Sequence, residues 1–367
     1  MVGTERPYCG GAGWLMQQNA RLGTSPFTLK CDKERNVDIQ FRPPSDDCYH
    51  LEDFDLSLKH AIRPPSLPLG NDPSAEHTAF FVATPSRSRS VKWFMSLNGE
   101  LSTLLSYLYG GNILSKRLLL KRHASSDYLA IYYSRHRADN KPIEFYNLWT
   151  TYEKLRGDFQ SLLYSWLTAH DSHKQARRML LASECRPSAY MELRFLPLVQ
   201  AVETLTQSNG PTELVTDDEF QLIKKSVRDA IPPDTNKELV GAFMQSLGYA
   251  NGKSLRYKIE QLIATLSPTS IPHLCKDVKD FTKGVVNTRN FYTHYSSQKC
   301  ILDKRELHWA TIKLSLLLRV LLLHAAGMNE DLMQSILERN MKVVKDRRSW
   351  LEVSEVGTAE GTIESEE

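Results

Sequence analysis

The chain has 367 residues, 41% apolar, 24% charged and 9% aromatic, proportions that exclude wholesale disorder and allow two domains with separate cores. A net charge of +3 excludes recognition of a polyanion by bulk charge, so any such footprint must be local. Six cysteines (Cys9, Cys31, Cys48, Cys185, Cys275, Cys300) show no short C-x-x-C spacing, which argues against a zinc site or disulfide framework and fits a reducing cytosol.

The start, MVGTERPYCGG, has no basic stretch followed by an apolar one, so it does not read as a secretory signal. Residues 1–30 are expected to be an irregular segment and 31–147 a β-rich domain. Val37, Ile39 and Phe41 alternate with polar neighbours, the period of a half-buried strand. TAFFVAT (78–84), VKWFMSL (91–97) and YLAIYY (128–133) are short runs rich in aromatic and β-branched residues, read as strands. Proline- and glycine-bearing stretches such as RPPSLPLGNDPS bound them and supply the turns. One helix is expected near Leu101 to Tyr109, beside an antiparallel sheet or sandwich.

At Leu148 the period changes. Leu148, Tyr152, Leu155, Phe159, Leu162 and Trp166 recur at helical steps, opening a helical domain expected over 148–345. Its predicted helices run from Met191 to Leu205, from Asp217 to Ile231 behind the capping box Thr216–Glu219, and from Ser254 to Leu266. Pro272 is placed in the first turn of the next, with Leu274, Val278, Phe281 and Val285 on its buried face. Asp303 opens a helix through the leucine run to His324, and Gly327 precedes a last one over Glu330 to Asn340. The most apolar stretch, Leu314 to Leu323, carries Ser315 and Arg319 and falls short of the roughly 20 residues of a membrane span; no membrane role is expected. Residues 346–367, with six glutamates from Glu352 onward, read as an acidic disordered tail.

The chemically informative stretch is VVNTRNFYTHY, residues 285–295. Asn290 and His294 stand four apart and share a helical face. Arg289 lies five before His294, about 140° around an ideal helix. The two converge on one phosphate if the helix is locally distorted or a second subunit completes the pocket. Cleaving RNA without a metal needs a group to take the 2′-hydroxyl proton, one to protonate the departing 5′-oxygen, and a fixed cation for the phosphorane. Histidine serves as base or acid near neutral pH, and arginine offers a permanent charge with a planar fork of donors. Asn290 can orient His294 or hold the ribose. Spacing alone does not carry this reading, since R-x4-H arises by chance in many proteins.

TRNFYTHY resembles the R-x4-6-H motif of the HEPN superfamily of helical ribonucleases, in the form with asparagine after the arginine. RFLPLVQAVETL (194–205), NGKSLRYKIEQLI (251–263) and KDVKDFTKGVVNTRNFYTHYS (276–296) are similar to the ApeA-like HEPN proteins of bacterial anti-phage abortive infection systems. The likeness spans roughly Phe159 to Asn340. It implies Arg289, Asn290 and His294 as catalytic residues, no metal or other cofactor, a homodimer with a composite site, and a β-rich ApeA-type N-terminal domain.

Other features have plainer readings. Glu203, in the helix that resembles the family's Q-A-x-E segment, can position the arginine or form a structural pair. Tyr292 and Tyr295 can stack on a base or pack in the core. His170 and His173 have metal-like spacing without further ligands and read as a polar helix end. Basic clusters at 116–122, 174–178 and 342–348 read as solvated faces, any of which can track an RNA backbone.

The expectation is therefore an α+β protein, a β-rich N-terminal domain followed by an all-α HEPN-like bundle. It would act as a cytoplasmic endoribonuclease on RNA, silent until a phage-derived trigger engages the N-terminal domain. The alternatives are a non-catalytic HEPN-like dimerisation module and a nucleic-acid-binding regulator.

Overall fold

The computed structural model describes residues 12–16, 27–31, 37–41, 46–63, 78–111, 113, 115, 117–121, 128–131, 148–184, 190–207, 213–294, 301–340 and 343–346. The chain divides into two compact units, one of residues 1–169 and 323–346, the other of 170–322 and 347–367.

The first unit holds β1 (Ala12–Met16), β2 (Phe27–Cys31), β3 (Val37–Phe41), β4 (Asp47–Leu51), β5 (Leu56–Arg63) and β6 (Thr78–Pro85). Helix α1 (Val91–Tyr109), β7 (Arg117–Lys121), β8 (Tyr128–Ile131), α2 (Tyr152–Leu155) and α3 (Phe159–Thr168) follow. Six strands form one antiparallel sheet in the order β4-β5-β6-β1-β7-β8, and β2 pairs with β3 separately. The strands expected at 37–41, 78–84 and 128–133 are present as β3, β6 and β8, the last described to Ile131. β1, from a span whose sequence carries no strand alternation, sits inside the sheet between β6 and β7.

VKWFMSL, expected as a strand, is instead the first two turns of α1. Ser90 caps it by accepting from the Trp93 amide at 3.2 Å. The buried residues Phe94, Leu97, Leu101, Leu104, Leu105 and Leu108 follow a helical period, which decides the conformation over local aromatic content. Gly110 ends the helix at φ 76°; a Cβ there would lie 2.1 Å from Trp149 Cδ1, so the position requires glycine.

The stripe from Leu148 to Trp166 is buried as its period predicts, but it is broken: Leu148 precedes α2, and a turn over 156–158 separates α2 from α3. Phe159 stacks on Phe81 of the sheet, and Trp166 meets Tyr107 of α1 edge-on. Asp47 gathers Tyr152 Oη at 2.8 Å and Arg156 through Nε (2.8 Å) and Nη2 (2.6 Å), while the Tyr49 and Tyr152 hydroxyls bond each other. His60, 3% exposed, lies against the rings of Tyr152 and Phe81.

The second unit contains α4 (Asp171–Glu184), α5 (Met191–Thr206), α6 (Asp217–Asp229), α7 (Lys237–Gly248), α8 (Leu255–Ile263), α9 (Ile271–Leu274), α10 (Val278–His294) and α11 (Lys304–Ala325), whose last residues fall in the first unit, as does α12 (Glu330–Arg339). The protein is thus α+β, with its antiparallel sheet N-terminal and a helical bundle C-terminal. The caps read from sequence hold. Thr216 and Glu219 form the capping box of α6, Ser254 accepts from the Tyr257 amide, and Asp303 accepts from the amides of Arg305 and Glu306.

α4 packs on α5, α5 on α8 and α10, and α8 on α10. Glu184 of α4 binds Arg319 of α11 at 2.5 Å and accepts from Ser315 at 2.7 Å, with the arginine side chain 5% exposed. α11 is long and apolar enough to cross a membrane by length and composition; 67% of its apolar window is buried inside the protein.

Candidate active site

The site is built on α10, and its first residues correct one expectation. Pro272 opens only the single turn α9. Cys275 is extended (φ −154°, ψ 118°), and Asp277 restarts the helix by accepting from the Asp280 amide at 2.9 Å. The inward face shifts accordingly. Thr282, Val285 and Thr288 are fully buried, whereas Val278 and Phe281 are only half-buried.

Two threonines on that face have specific partners. Thr282 Oγ1 donates to Glu260 of α8 at 3.1 Å, and Thr288 Oγ1 accepts from the Leu302 amide at 2.9 Å. Gly284 leaves room for the Leu302 side chain, which would stand 3.0 Å from a Cβ at that position. α10 is therefore held against α8 in its second turn and against the approach to α11 at Thr288, which directs the residues that follow Thr288 in the helix.

Arg289 is the first of these. Its Nη2 meets Glu203 Oε2 of α5 at 3.3 Å, and its Nη1 donates to Asn290 Oδ1 at 3.1 Å. The side chains of Arg289 and Glu203 are 28% and 42% exposed, so the pair is reachable from solvent. Glu203 is the half-buried residue in a run of α5 where Ala201, Val202, Thr204 and Leu205 are buried. The packing of α5 thus aims a carboxylate at the guanidinium. Of the guanidinium's five N–H donors, these two bonds leave the others without a hydrogen-bond partner among the described residues.

The structure brings Arg289 and Asn290 together directly. His294, the last residue of α10, is exposed, and its side chain makes no hydrogen bond among the described residues. Asn290 Oδ1 faces Arg289, so that oxygen is engaged on the arginine side. Tyr292 is half-buried; burial, then the nearby Glu192 carboxylate of α5, raises its pKa. Glu192 carries no motif signal in the sequence. Tyr295 lies outside the described residues.

The remaining candidates take structural places. His170 sits before α4, where its Nδ1 accepts from the Ser172 amide at 3.2 Å; burial, then Arg177, lowers the pKa of His173. In the 174–178 cluster Arg177 is 2% exposed and Lys174 pairs with Asp171, which corrects its reading as a wholly solvated face. The clusters at 116–122 and 342–348 lie partly outside the described residues.

By fold and site the second unit is an all-helical domain that presents an anchored arginine–asparagine pair and an exposed histidine at one helix end. Residues 196–332 match the family model described as Apea-like HEPN. The helical C-terminal region therefore carries an ApeA-like HEPN domain, as the TRNFYTHY resemblance implied. No curated protein and no solved structure gives a match.

Proposed function

We propose that this protein is an endoribonuclease of the HEPN type, acting in the bacterial cytoplasm as a toxin-like effector of abortive anti-phage defence. The observation that carries the reading is Arg289. It is a partly exposed guanidinium, held by Glu203 and Asn290, at the motif position of a segment that matches the Apea-like HEPN family.

In the proposed reaction the ribose 2′-oxygen forms a bond to the adjacent phosphorus as its proton passes to a base. The bond from phosphorus to the 5′-oxygen breaks, and that oxygen takes up a proton. His294 handles one of these protons, and Arg289 offsets the charge on the phosphorane oxygens. The products are a 2′,3′-cyclic phosphate and a 5′-hydroxyl end. Arg289 supplies the cation and His294 one proton carrier, with the other proton exchanged with solvent water, so the proposed step is routed through no metal.

The two residues stand about 140° apart on an ideal helix, which supports a homodimer in which the arginine of one copy works with the histidine of the other. The first unit, with its separate sheet, is the proposed receiver of a phage-derived trigger. Purified wild type, Arg289→Ala and His294→Ala are tested on labelled RNA with EDTA present. The expected outcome is cleavage by wild type alone, with cyclic phosphate ends. Full activity in both variants, or 3′-hydroxyl products, overturns the reading.

A further inference from the structure

The segment between α5 and α8 has a face the proposed nuclease does not use. α6 and α7 pack on each other and stand as a hairpin whose two ends are tied together. Asn251, 6% exposed, accepts through Oδ1 from the amides of Leu214 (3.2 Å) and Val215 (3.0 Å) and donates through Nδ2 to the Val215 carbonyl at 3.0 Å. The Leu214 amide also reaches the Asn251 carbonyl at 2.8 Å, and Glu213 bridges Gly252. The neck is closed by backbone and one amide side chain, whereas the hairpin beyond it is almost coreless.

α6 buries only Phe220, and α7 buries no residue. Yet residues 239–248 of α7 (LVGAFMQSLG) carry no charge. Leu222 is 67% exposed, Leu239 62% and Phe243 49%. Together with Leu214, Ile223 and Tyr249 these six exposed residues leave roughly 660 Å² of large apolar residues open along the hairpin and its neck, taking ~180 Å² for a fully exposed one, an area of the order of the ~800 Å² per partner of a stable interface.

The charges identify the occupant. On α6 Leu222 is flanked on its own face by Asp218 and Glu219 before it and by Lys225 and Ser226 after it, with Asp229 at the far end of the same stripe. The neighbouring stripe repeats the pattern with Asp217 and Arg228. Asp217, Asp218, Lys225 and Arg228 are exposed and form no ion pair among the described residues. A first half with Asp217, Asp218 and Glu219 and a second half that is net basic through Lys224, Lys225 and Arg228 against Asp229 complement the same helix turned end for end, as a two-fold axis requires.

We propose that the α6–α7 hairpin docks on the same hairpin of a second copy of this chain, with α6 antiparallel to its counterpart about Leu222. Asp217 and Asp218 then face Arg228 and Lys225 of the other copy, and Leu222, Leu239 and Phe243 become buried. This contact is separate from the α10 site and does not depend on nuclease activity.

The test uses full-length protein in two charge-swapped forms, D217K/D218K and K225E/R228E, with Leu222→Asp/Phe243→Asp as an apolar control. Glu219 is left in place so that the capping box of α6 survives, and circular dichroism verifies folding. Native mass spectrometry with mass-tagged copies reads the assembly. Each swap alone is expected to weaken self-association about 100-fold, halving the mass at micromolar concentration, as does the apolar control. The 1:1 mixture of the two swaps should restore a mixed pair. A pair formed through α10 would leave the swapped forms as dimers of a wild-type tetramer, and the mixture would still recover the larger species. A monomeric wild type, unchanged mass in the variants, or a mixture without recovery overturns the proposal, whatever the RNase assay returns.

Discussion

Acid should unfold the first unit through one buried ring. Burial holds the pKa of His60 down at about 4 from its ordinary 6.5, with Asp47 and Asp46 pulling it back up and Arg156 lowering it further. Unfolded chains bind a proton at this histidine below about pH 6.5, folded ones only below about 4. Between those values unfolding takes up a proton, so stability is intact above 6.5 and falls as pH drops toward 4. At ~1.4 kcal/mol per unit, the loss is about 2 kcal/mol at pH 5 and approaches roughly 3 kcal/mol below the folded value. The ring is 3% exposed, so solvent screening does not reduce this. Carboxylates titrate in the same range, and the assay must isolate the histidine. Urea unfolding of wild type and His60→Phe, each near pH 7 and near pH 5, does so. Phenylalanine keeps a ring against Tyr152 and Phe81 and removes the titration. The variant is expected to lose about 2 kcal/mol less than wild type between the two conditions. Equal losses in both proteins would refute the assignment.

Gly110→Ala is expected to cost more than about 2 kcal/mol, measured by thermal unfolding, because its Cβ would enter the Trp149 indole at a φ of 76°. Glu184→Ala removes the carboxylate facing the buried Arg319 guanidinium and should cost about 3 kcal/mol; urea titration measures it, and a loss under half that figure speaks against the pair as a tie between α4 and α11. Arg289→Lys keeps the charge without the planar fork, so RNA cleavage should fall at least about 100-fold. Its melting temperature should barely move, since the Glu203 pair is part-exposed and worth under about 1 kcal/mol.

Helix ends in the bundle were legible wherever a side chain caps an amide, because the bond is local: Thr216 with Glu219, Ser254, and Asp303 with Glu306 all act as read. The motif arginine and histidine were legible as a spacing on one helix, but the partner that holds Arg289 was only a candidate. Glu203 lies 86 residues away, and nothing in its neighbourhood distinguishes a carboxylate that meets a cation from one that meets water. The start of α1 was misread for a related reason. Trp93 and Phe94 look like strand residues, and only the remote surfaces that bury Phe94, Leu97 and Leu101 select the helix. The strand β1 was not anticipated because its place between β6 and β7 comes from long-range pairing rather than from any alternation of its own. α7 is absent from the helices read in the sequence, and the fold leaves its Leu239 and Phe243 outside.

The closed neck at Asn251 makes residues 213–252 a cassette. Its entrance and exit are hydrogen-bonded to each other, so the chain between them can lengthen, shorten or be replaced at little loop-closure cost to the bundle. Natural variation in length and charge is expected to collect there, while the surfaces of α5, α8 and α10 that frame Arg289 keep their geometry. Partner choice can then drift without disturbing the chemistry.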